Sequence, residues 1–250
     1  MEDGSRGYAG SGSATCLQSH GMSDNKRVNS APHDSNELKN IYGRRFDEHI
    51  VYRDKVWKIL TANFFSRYVS AQDRVLDLGC GYGEFINNIR CASKIAMDMN
   101  PGARKRLGPG IEFIEQDCSL PWAVPENSLD LIFTSNFFEH LPSKKTLSDT
   151  LAQAYGRLKK GGRIVALGPN VRFTGGAYWN FWDHHLPLTD NAICEALEIQ
   201  GFTIEESHAR FLPYTMVNRR RSPSILVNLY LRLPLLWRLF GKQFLVIGRK

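Results

Sequence analysis

The run Val75-Leu76-Asp77-Leu78-Gly79-Cys80-Gly81-Tyr82-Gly83 limits this chain more than any other stretch. A short apolar segment enters a cluster of three glycines, and a helix-like segment, Glu84–Arg90, leaves it. Glycine is needed where the backbone takes positive φ or must pass close to a ligand. A strand, a tight turn and a helix start therefore follow one another here. In open α/β sheets such turns carry ligands at the carboxyl ends of the strands, near the reversal in strand order. The spacing is Gly-x-Gly-x-Gly, then Glu84. A dinucleotide turn wants glycine or alanine at that last place, and a carboxylate at a helix start repels a pyrophosphate. The turn suits a cationic ligand without phosphates better than NAD.

The rest of the chain alternates in the same way. Arg74–Leu78, Lys94–Met99, Ile111–Gln116, Leu129–Ser135 and Arg163–Leu167 read as strands, with Thr203–Arg210 and Phe244–Gly248 as the last two. Helical spacing runs from Glu37 to Tyr68 through Val56, Ile59, Leu60, Phe64 and Tyr68, and again over Ser143–Leu158. Lys159-Lys160-Gly161-Gly162 reads as the cap of that second helix, and Thr189 caps another that Gly201 closes. Strand and helix in alternation predict a mostly parallel sheet covered on both faces. Asp98 follows Gly81 by 17 residues at the end of the second strand, where a carboxylate can accept from both ribose hydroxyls. Asp117 ends the third strand and can accept from an adenine amino group, with the Cys118 backbone N–H meeting a ring nitrogen.

On these residues the sequence resembles the class I S-adenosylmethionine-dependent methyltransferases, over roughly residues 40–210. Leu76–Gly83 is similar to that family's glycine-rich signature nearly residue for residue, and Asp98 and Asp117 sit where its ribose and adenine acids would be. Leu129-Asp130-Leu131-Ile132-Phe133 and Leu158–Ile164 resemble its fourth strand and the turn into its fifth. The resemblance implies an enzyme with S-adenosyl-L-methionine as cofactor. It also implies an α/β fold, a Rossmann-like seven-stranded mostly parallel sheet with an antiparallel last strand and helices on both faces. The expected cofactor shell is Gly79, Cys80, Gly81, Gly83, Asp98, Met99, Asp117, Cys118 and Asn136. Tyr42 and Arg45, from the N-terminal helix, join it if an arginine pairs with the cofactor carboxylate; otherwise Arg44 and Arg45 are solvated charges. Asp77 reads as a buried acid bonding loop amides, and Cys80 and Cys118 as packing residues, since no base adjoins either thiol.

Two regions could receive a methyl acceptor. Thr134-Ser135-Asn136-Phe137-Phe138-Glu139-His140 leaves the fourth strand. It lacks the Asn/Asp-Pro-Pro-Tyr/Phe run of amino-group and DNA-adenine methyltransferases, so a hydroxyl acceptor is favoured. His140 is either a base or a histidine packed under the cofactor. The second region, Gly175–His185, carries Tyr178, Trp179, Phe181, Trp182, Asp183, His184 and His185. These form either a substrate wall with a histidine base, His184 or His185, or a loop packed on the sheet edge. No metal is expected: adjacent side chains such as Asp183-His184-His185 seldom converge on one ion, and no third ligand is placed.

The net charge of +7 is unevenly spread. His208–Lys250 holds nine Arg or Lys and no acid, which leaves the remainder at −2. An anionic partner is therefore to be sought at the C-terminal end. After Ser222-Pro223, Leu226, Leu229, Tyr230, Leu233, Leu236, Trp237 and Phe240 fall on one helical face, interrupted by Pro234. The stretch is a helix packed on its own core, a partner surface, or a membrane-surface or lipid-linked substrate contact through 219–240 beside Arg219-Arg220-Arg221.

Residues 1–36 are polar and read as a disordered tail, and Met22 is an alternative start. Residues 37–250 form one methyltransferase domain with insertions at 171–187 and 211–242. Five scattered cysteines without a CxxC pair, no apolar signal segment and no 18-residue apolar run point to the cytoplasm. The expected activity is O-methylation of a small-molecule, sugar-containing or lipid-linked acceptor. The alternatives are an RNA methyltransferase using the basic end, although no RNA-binding module is recognisable and nucleic acid is not an expected partner, and a non-catalytic cofactor-binding regulator.

Overall fold

The computed structural model describes residues 50–214 and 223–250. The tail at 1–36, Tyr42, Arg44, Arg45, Arg219–Arg221 and Ser222 lie outside the described residues, so the expectations placed on them stand as made. The chain runs α1 (Ile50–Asn63), β1 (Arg74–Leu78), α2 (Glu84–Asn88), β2 (Ser93–Asp98), β3 (Ile111–Glu115), β4 (Leu129–Ser135), α3 (Lys144–Arg157) and β5 (Leu158–Pro169). It continues through α4 (Val171–Thr174), α5 (Asp190–Ile199), β6 (Thr203–His208), α6 (Ser224–Arg232), α7 (Pro234–Phe240) and β7 (Gln243–Arg249).

The strands form one seven-stranded sheet in the order β3-β2-β1-β4-β5-β7-β6. β1 to β5 are parallel, and β7 runs antiparallel between β5 and β6. The order reverses between β1 and β4, which puts the glycine turn at the switch point of the sheet. Alternate strand residues enter opposite cores. Leu76 and Leu78 pack with Leu147, Leu151 and Ala154 of α3 and Ile193 and Leu197 of α5. Val75, Phe133 and Val165 pack on the other face with Leu60 of α1, Phe64 just after it, Phe85 and Ile86 of α2, and Trp237 of α7.

The helix expected from Glu37 is seen in its described part as α1, which ends at Asn63 and gives way to a 3-10 turn over Phe65–Tyr68. Lys159–Gly162 does not cap α3. That helix ends at Arg157, Leu158 pairs with Leu129, and the two glycines lie inside β5. The reason is the last residue of the chain: Gly161 N donates to Lys250 O at 2.8 Å and Lys250 N to Gly162 O at 3.0 Å. Pairing with β7 thus extends the strand back through a stretch that reads locally as a helix stop. The single apolar face expected after Pro223 is divided. Pro234 starts α7 and breaks the stretch into two short helices, as an interrupting proline predicts. Leu231 and Trp237 are buried, whereas Leu226, Leu229, Leu233 and Phe240 are exposed together with Ile225, Leu235 and Leu239.

Asp77 alternates into the α1–α2 face of the sheet and is buried there, its Oδ2 accepting from Ile86 N at 3.3 Å. Burial raises its pKa well above the ordinary aspartate value. The folded state therefore holds this proton more tightly than the unfolded chain does. The associated stability is present at acid pH and is lost as pH rises through the raised value. Urea unfolding from about pH 4 to about pH 8 should show Asp77→Asn gaining on the parent protein as pH rises. A difference independent of pH would contradict this account.

At the turn, Gly79, Gly81 and Gly83 all take positive φ, at 67°, 52° and 71°. A Cβ on Gly79 would overlap the Phe137 ring down to its own Cβ, whereas one on Gly81 would meet nothing within 4 Å. Gly81→Ala should therefore cost only the left-handed strain of roughly 1–2 kcal/mol. Gly79→Ala should cost clearly more, because Phe137 must move. Denaturant titration of the two variants checks the ranking, and equal losses would refute it.

Candidate functional site

The turn is tied to the next strand before any ligand is considered. Gly79 N and Cys80 N both donate to Met97 O, at 2.9 and 3.1 Å, and Gly83 N closes the turn on Cys80 O at 2.7 Å. Gly81 N donates to Asp98 Oδ2 and Asn100 N to Asp98 Oδ1, each at 2.8 Å. Asp98 is thus fixed by two amides, one of them from the turn. Burial pushes its pKa up and the backbone N–H groups pull it back, leaving a net rise. Each carboxylate oxygen keeps a further lone pair for an outside donor.

A cavity opens at these strand ends, lined by Leu78, Gly79, Met97, Asp98, Met99, Gln116, Cys118 and Phe137. It brings together the expected Gly79, Asp98, Met99 and Cys118. Met99 is an exposed apolar side chain at this cavity. Asp117 lies between two lining residues, and its Oδ1 caps the following turn by accepting from Ser119 N and Oγ, both at 2.8 Å. Asn136 is strained, at φ 49°, and sits beside the lining Phe137 with its N–H on Leu167 O at 2.9 Å. Cys80 is buried in the α1–α2 core, and its thiol is pushed far up by burial. Burial pushes the Cys118 thiol up to about 11, and its sulfur meets Thr150 Oγ1. Neither is a nucleophile at neutral pH. Phe137 and Gln116 are lining residues that sequence reasoning missed. The signal for Phe137 is an aromatic facing a glycine that cannot carry a side chain; for Gln116, whose amide holds the 121–123 loop, there is none.

The residues fit S-adenosylmethionine on structural grounds. The space above Gly81 is open, as a backbone cradle requires. Asp98 presents a carboxylate beside it. The one acid expected to repel phosphates, Glu84, pairs with Arg53 Nη2 at 2.6 Å; burial raises Glu84 and Arg53 opposes that.

Beyond Phe137 the chain makes a 3-10 turn, Phe138–His140, and meets the first insertion. Glu139 O accepts from His185 N at 2.8 Å and Leu186 N at 3.1 Å, and Tyr178 OH donates to Leu186 O. These bonds stitch the two expected acceptor regions together. His140 Nδ1 lies 3.0 Å from Asp183 O and 3.2 Å from Asp183 Oδ2. The His184 ring stacks on Phe181 at 4.9 Å, with Tyr178 and His140 edge-on at 4.6 and 4.9 Å. Glu139 is 1% exposed, and burial raises its pKa to about 7 while His140 pulls it down. Burial pulls His140 down, but Asp183 and Glu139 outweigh it, and the net shift is upward. Of the three histidines proposed as bases, His140 and His184 face one another and His185 is exposed. Tyr178 is buried in the loop, while Trp179 and Trp182 are exposed, Trp182 at 78%. Sequence reasoning gave Glu139 no role of its own and placed Asp183 in the acceptor loop without its contact to His140. A carboxylate inside the otherwise apolar Phe137-Phe138-Glu139-His140-Leu141 run was the available signal.

Residues 76–166 match the methyltransferase domain family. Among curated proteins none matches the chain. Solved structures share the fold. An S-adenosylmethionine-dependent methyltransferase from Archaeoglobus fulgidus superposes with a TM-score of 0.60 at 22% identity, over 79% of this chain and 94% of that one. A chain from the complex with the Haloferax volcanii Trm112 methyltransferase activator gives 0.61 at 15% identity, over 88% and 99%. An S-adenosylmethionine-dependent methyltransferase from Mesorhizobium loti gives 0.53 at 18%, over 73% and 93%. With the glycine cradle and its acid at the switch point of this sheet, residues 76–166 carry a methyltransferase domain, and the chain shares the fold of the S-adenosylmethionine-dependent methyltransferases.

Proposed function

We propose that the enzyme methylates a hydroxyl on a small molecule, sugar-containing or lipid-linked, and that the Glu139–His140–Asp183–His184 cluster activates that hydroxyl. The observation that carries this reading is His140, with Nδ1 on the Asp183 carbonyl and carboxylate. That contact favours the tautomer protonated on Nδ1, which puts the basic lone pair on Nε2. A base is needed chiefly when the acceptor must lose a proton, as a hydroxyl must. The cluster starts two residues past the cavity wall at Phe137, on the chain leaving β4.

Bound in the cavity, S-adenosylmethionine supplies an electrophilic methyl carbon on a sulfonium. The chain's own residues hold it in this reading. Asp98 takes the ribose hydroxyls, Asp117 and the Cys118 N–H read the adenine edge, and the Gly79–Gly83 backbone passes along the methionine, with Cys80 and Asn136 at its margins. Tyr42 and Arg45 keep their proposed place at the cofactor carboxylate. Calorimetry with S-adenosylhomocysteine should give 1:1 binding and none with NAD, and Asp98→Ala should weaken it by at least about tenfold, the value of one lost charged hydrogen bond. Heat from NAD alone would end this reading.

The lipid-linked form of the acceptor draws support from α6 and α7. Ile225, Leu235 and Leu239 are exposed at 77%, 74% and 66%, beside Arg232, Arg238 and Lys242. Apolar side chains flanked by cations suit an anionic membrane surface. RNA is less well served. Arg210 is spent on the Leu239 and Gly241 carbonyls, Arg249 on Glu205, and Lys250 on Asn127 and Leu158 O. Among the described residues no helix is long and apolar enough to cross a membrane. Contact at the surface of the cytoplasmic leaflet is the reading that agrees with this. Vesicles containing phosphatidylglycerol should carry the protein upward in flotation, and Leu235→Ser with Leu239→Ser should abolish this without altering S-adenosylhomocysteine binding. Equal flotation of both proteins would remove the membrane arm.

A further inference from the structure

Glu139, His140 and His184 come from two segments 44 residues apart, yet each offers a ligand atom within 4.8 Å of the others. All three lie in a site stitched by the Glu139 carbonyl to His185 and Leu186, so the segments are held in register before anything binds. Glu139 Oε2 is buried and makes no hydrogen bond among the described residues. A carboxylate buried in that way is costly unless a cation meets it. His140 has the outer partner that metal-bound histidines have: Nδ1 at 3.0 Å from the Asp183 carbonyl and 3.2 Å from its carboxylate, which turns the lone pair to Nε2. The run Asp183-His184-His185 does not converge as a unit; His184 from it joins two ligands from elsewhere.

We infer that Glu139, His140 and His184 bind a divalent transition ion of the zinc class, with the remaining coordination position open to the acceptor oxygen. Two imidazoles and one carboxylate suit zinc and its neighbours and disfavour magnesium or calcium, which prefer oxygen sets. Three protein ligands and an open place are the pattern of a catalytic zinc rather than a structural one. Tetrahedral bonds of about 2.0–2.1 Å put donor atoms roughly 3.4 Å apart, so side-chain rotations of about an ångström close the set. The inference rests on the cluster being the acceptor-activating end of the enzyme, and it changes how His140 works. The ion takes the acceptor hydroxyl oxygen and lowers its pKa, the O–H proton passes to solvent water, and His140 acts as a ligand.

The test is calorimetric titration of chelator-treated, tag-free full-length protein with zinc chloride. One equivalent should bind, magnesium chloride should give no comparable heat, and cobalt(II) should produce visible d–d bands of a low-coordinate site. Glu139→Gln and His184→Asn should each lower zinc affinity at least 100-fold and abolish the cobalt bands, and Asp183→Asn should lower it about 10–100-fold. His208→Ala, outside the cluster, should bind as the parent does. Each variant is first shown to be folded by its binding of S-adenosylhomocysteine. A parent protein that binds S-adenosylhomocysteine but no zinc overturns the inference and leaves hydroxyl methylation standing without a metal. Zinc binding unchanged in folded Glu139→Gln and His184→Asn overturns it as well. Zinc bound at these residues with no hydroxyl acceptor methylated supports the site and instead defeats the function proposed above.

Discussion

The Met97 carbonyl receives two consecutive amides, Gly79 N and Cys80 N, and most of the site depends on that bond pair. It draws the chain leaving β1 across the end of β2, so tightly that three nearby residues must take positive φ. The same bend brings Gly81 N to Asp98, which otherwise would be an acid at a strand end held only by its own Asn100 amide. Phe137 then fills the place where a Gly79 side chain would be. The acid, the open cradle and the aromatic wall are consequences of one crossing of backbone over backbone, at the point where the order of the parallel strands reverses.

That crossing needs a sheet rigid on both faces, and the alternation along β1 supplies it. Leu76 and Leu78 are taken up by α3 and α5, Val75 by α1 and α2. Asp77, on the second of these faces, is an acid in a wall of phenylalanines, where Phe85 and Phe133 stack at 3.7 Å. Its Oδ2 accepts the Ile86 amide, one of the helix-start donors with no carbonyl of its own. A buried acid therefore joins the helix to the strand across the turn. That one amide opposes its desolvation only in part, and burial still raises the acid's pKa.

What the sequence made legible follows from this. Period-two strands, the glycine spacing and the carboxylates at strand ends are local facts, and the strand and turn of Leu76–Gly83, the strand-end position of Asp98 and the cap at Thr189 all read correctly from neighbours alone. Lys159–Gly162 did not, because the partner that makes it a strand, Lys250, lies 88 residues further on. Glu139 gained no role, and Asp183 no partner in His140, for the same reason. Their chemistry arises when the turn after β4 meets the loop after α4, and no periodicity records that meeting. The expectation that Asp183-His184-His185 lacks a third ligand was drawn from adjacent residues alone. It could not see that Glu139 and His140 arrive from the far side.

The divided face of α6 and α7 is the same lesson in packing. A stripe of leucines at helical spacing predicts burial, and a helix that had a whole groove to itself would bury it. Here the groove is narrow. Trp237 fills it against Phe64 and Phe211, with its indole N–H on Tyr230 O, and the Tyr230 hydroxyl donates to Phe211 O. Asn63 of α1 reaches Asn228 of α6 at 2.7 Å, so a polar contact marks the edge of the packed strip. One tryptophan and Leu231 occupy the core, Pro234 turns the chain, and among the described residues Leu226, Leu229, Leu233, Leu235 and Leu239 stay exposed. These exposed apolar side chains share α6 and α7 with the exposed cations Arg232 and Arg238, the combination on which the proposed membrane-surface contact rests.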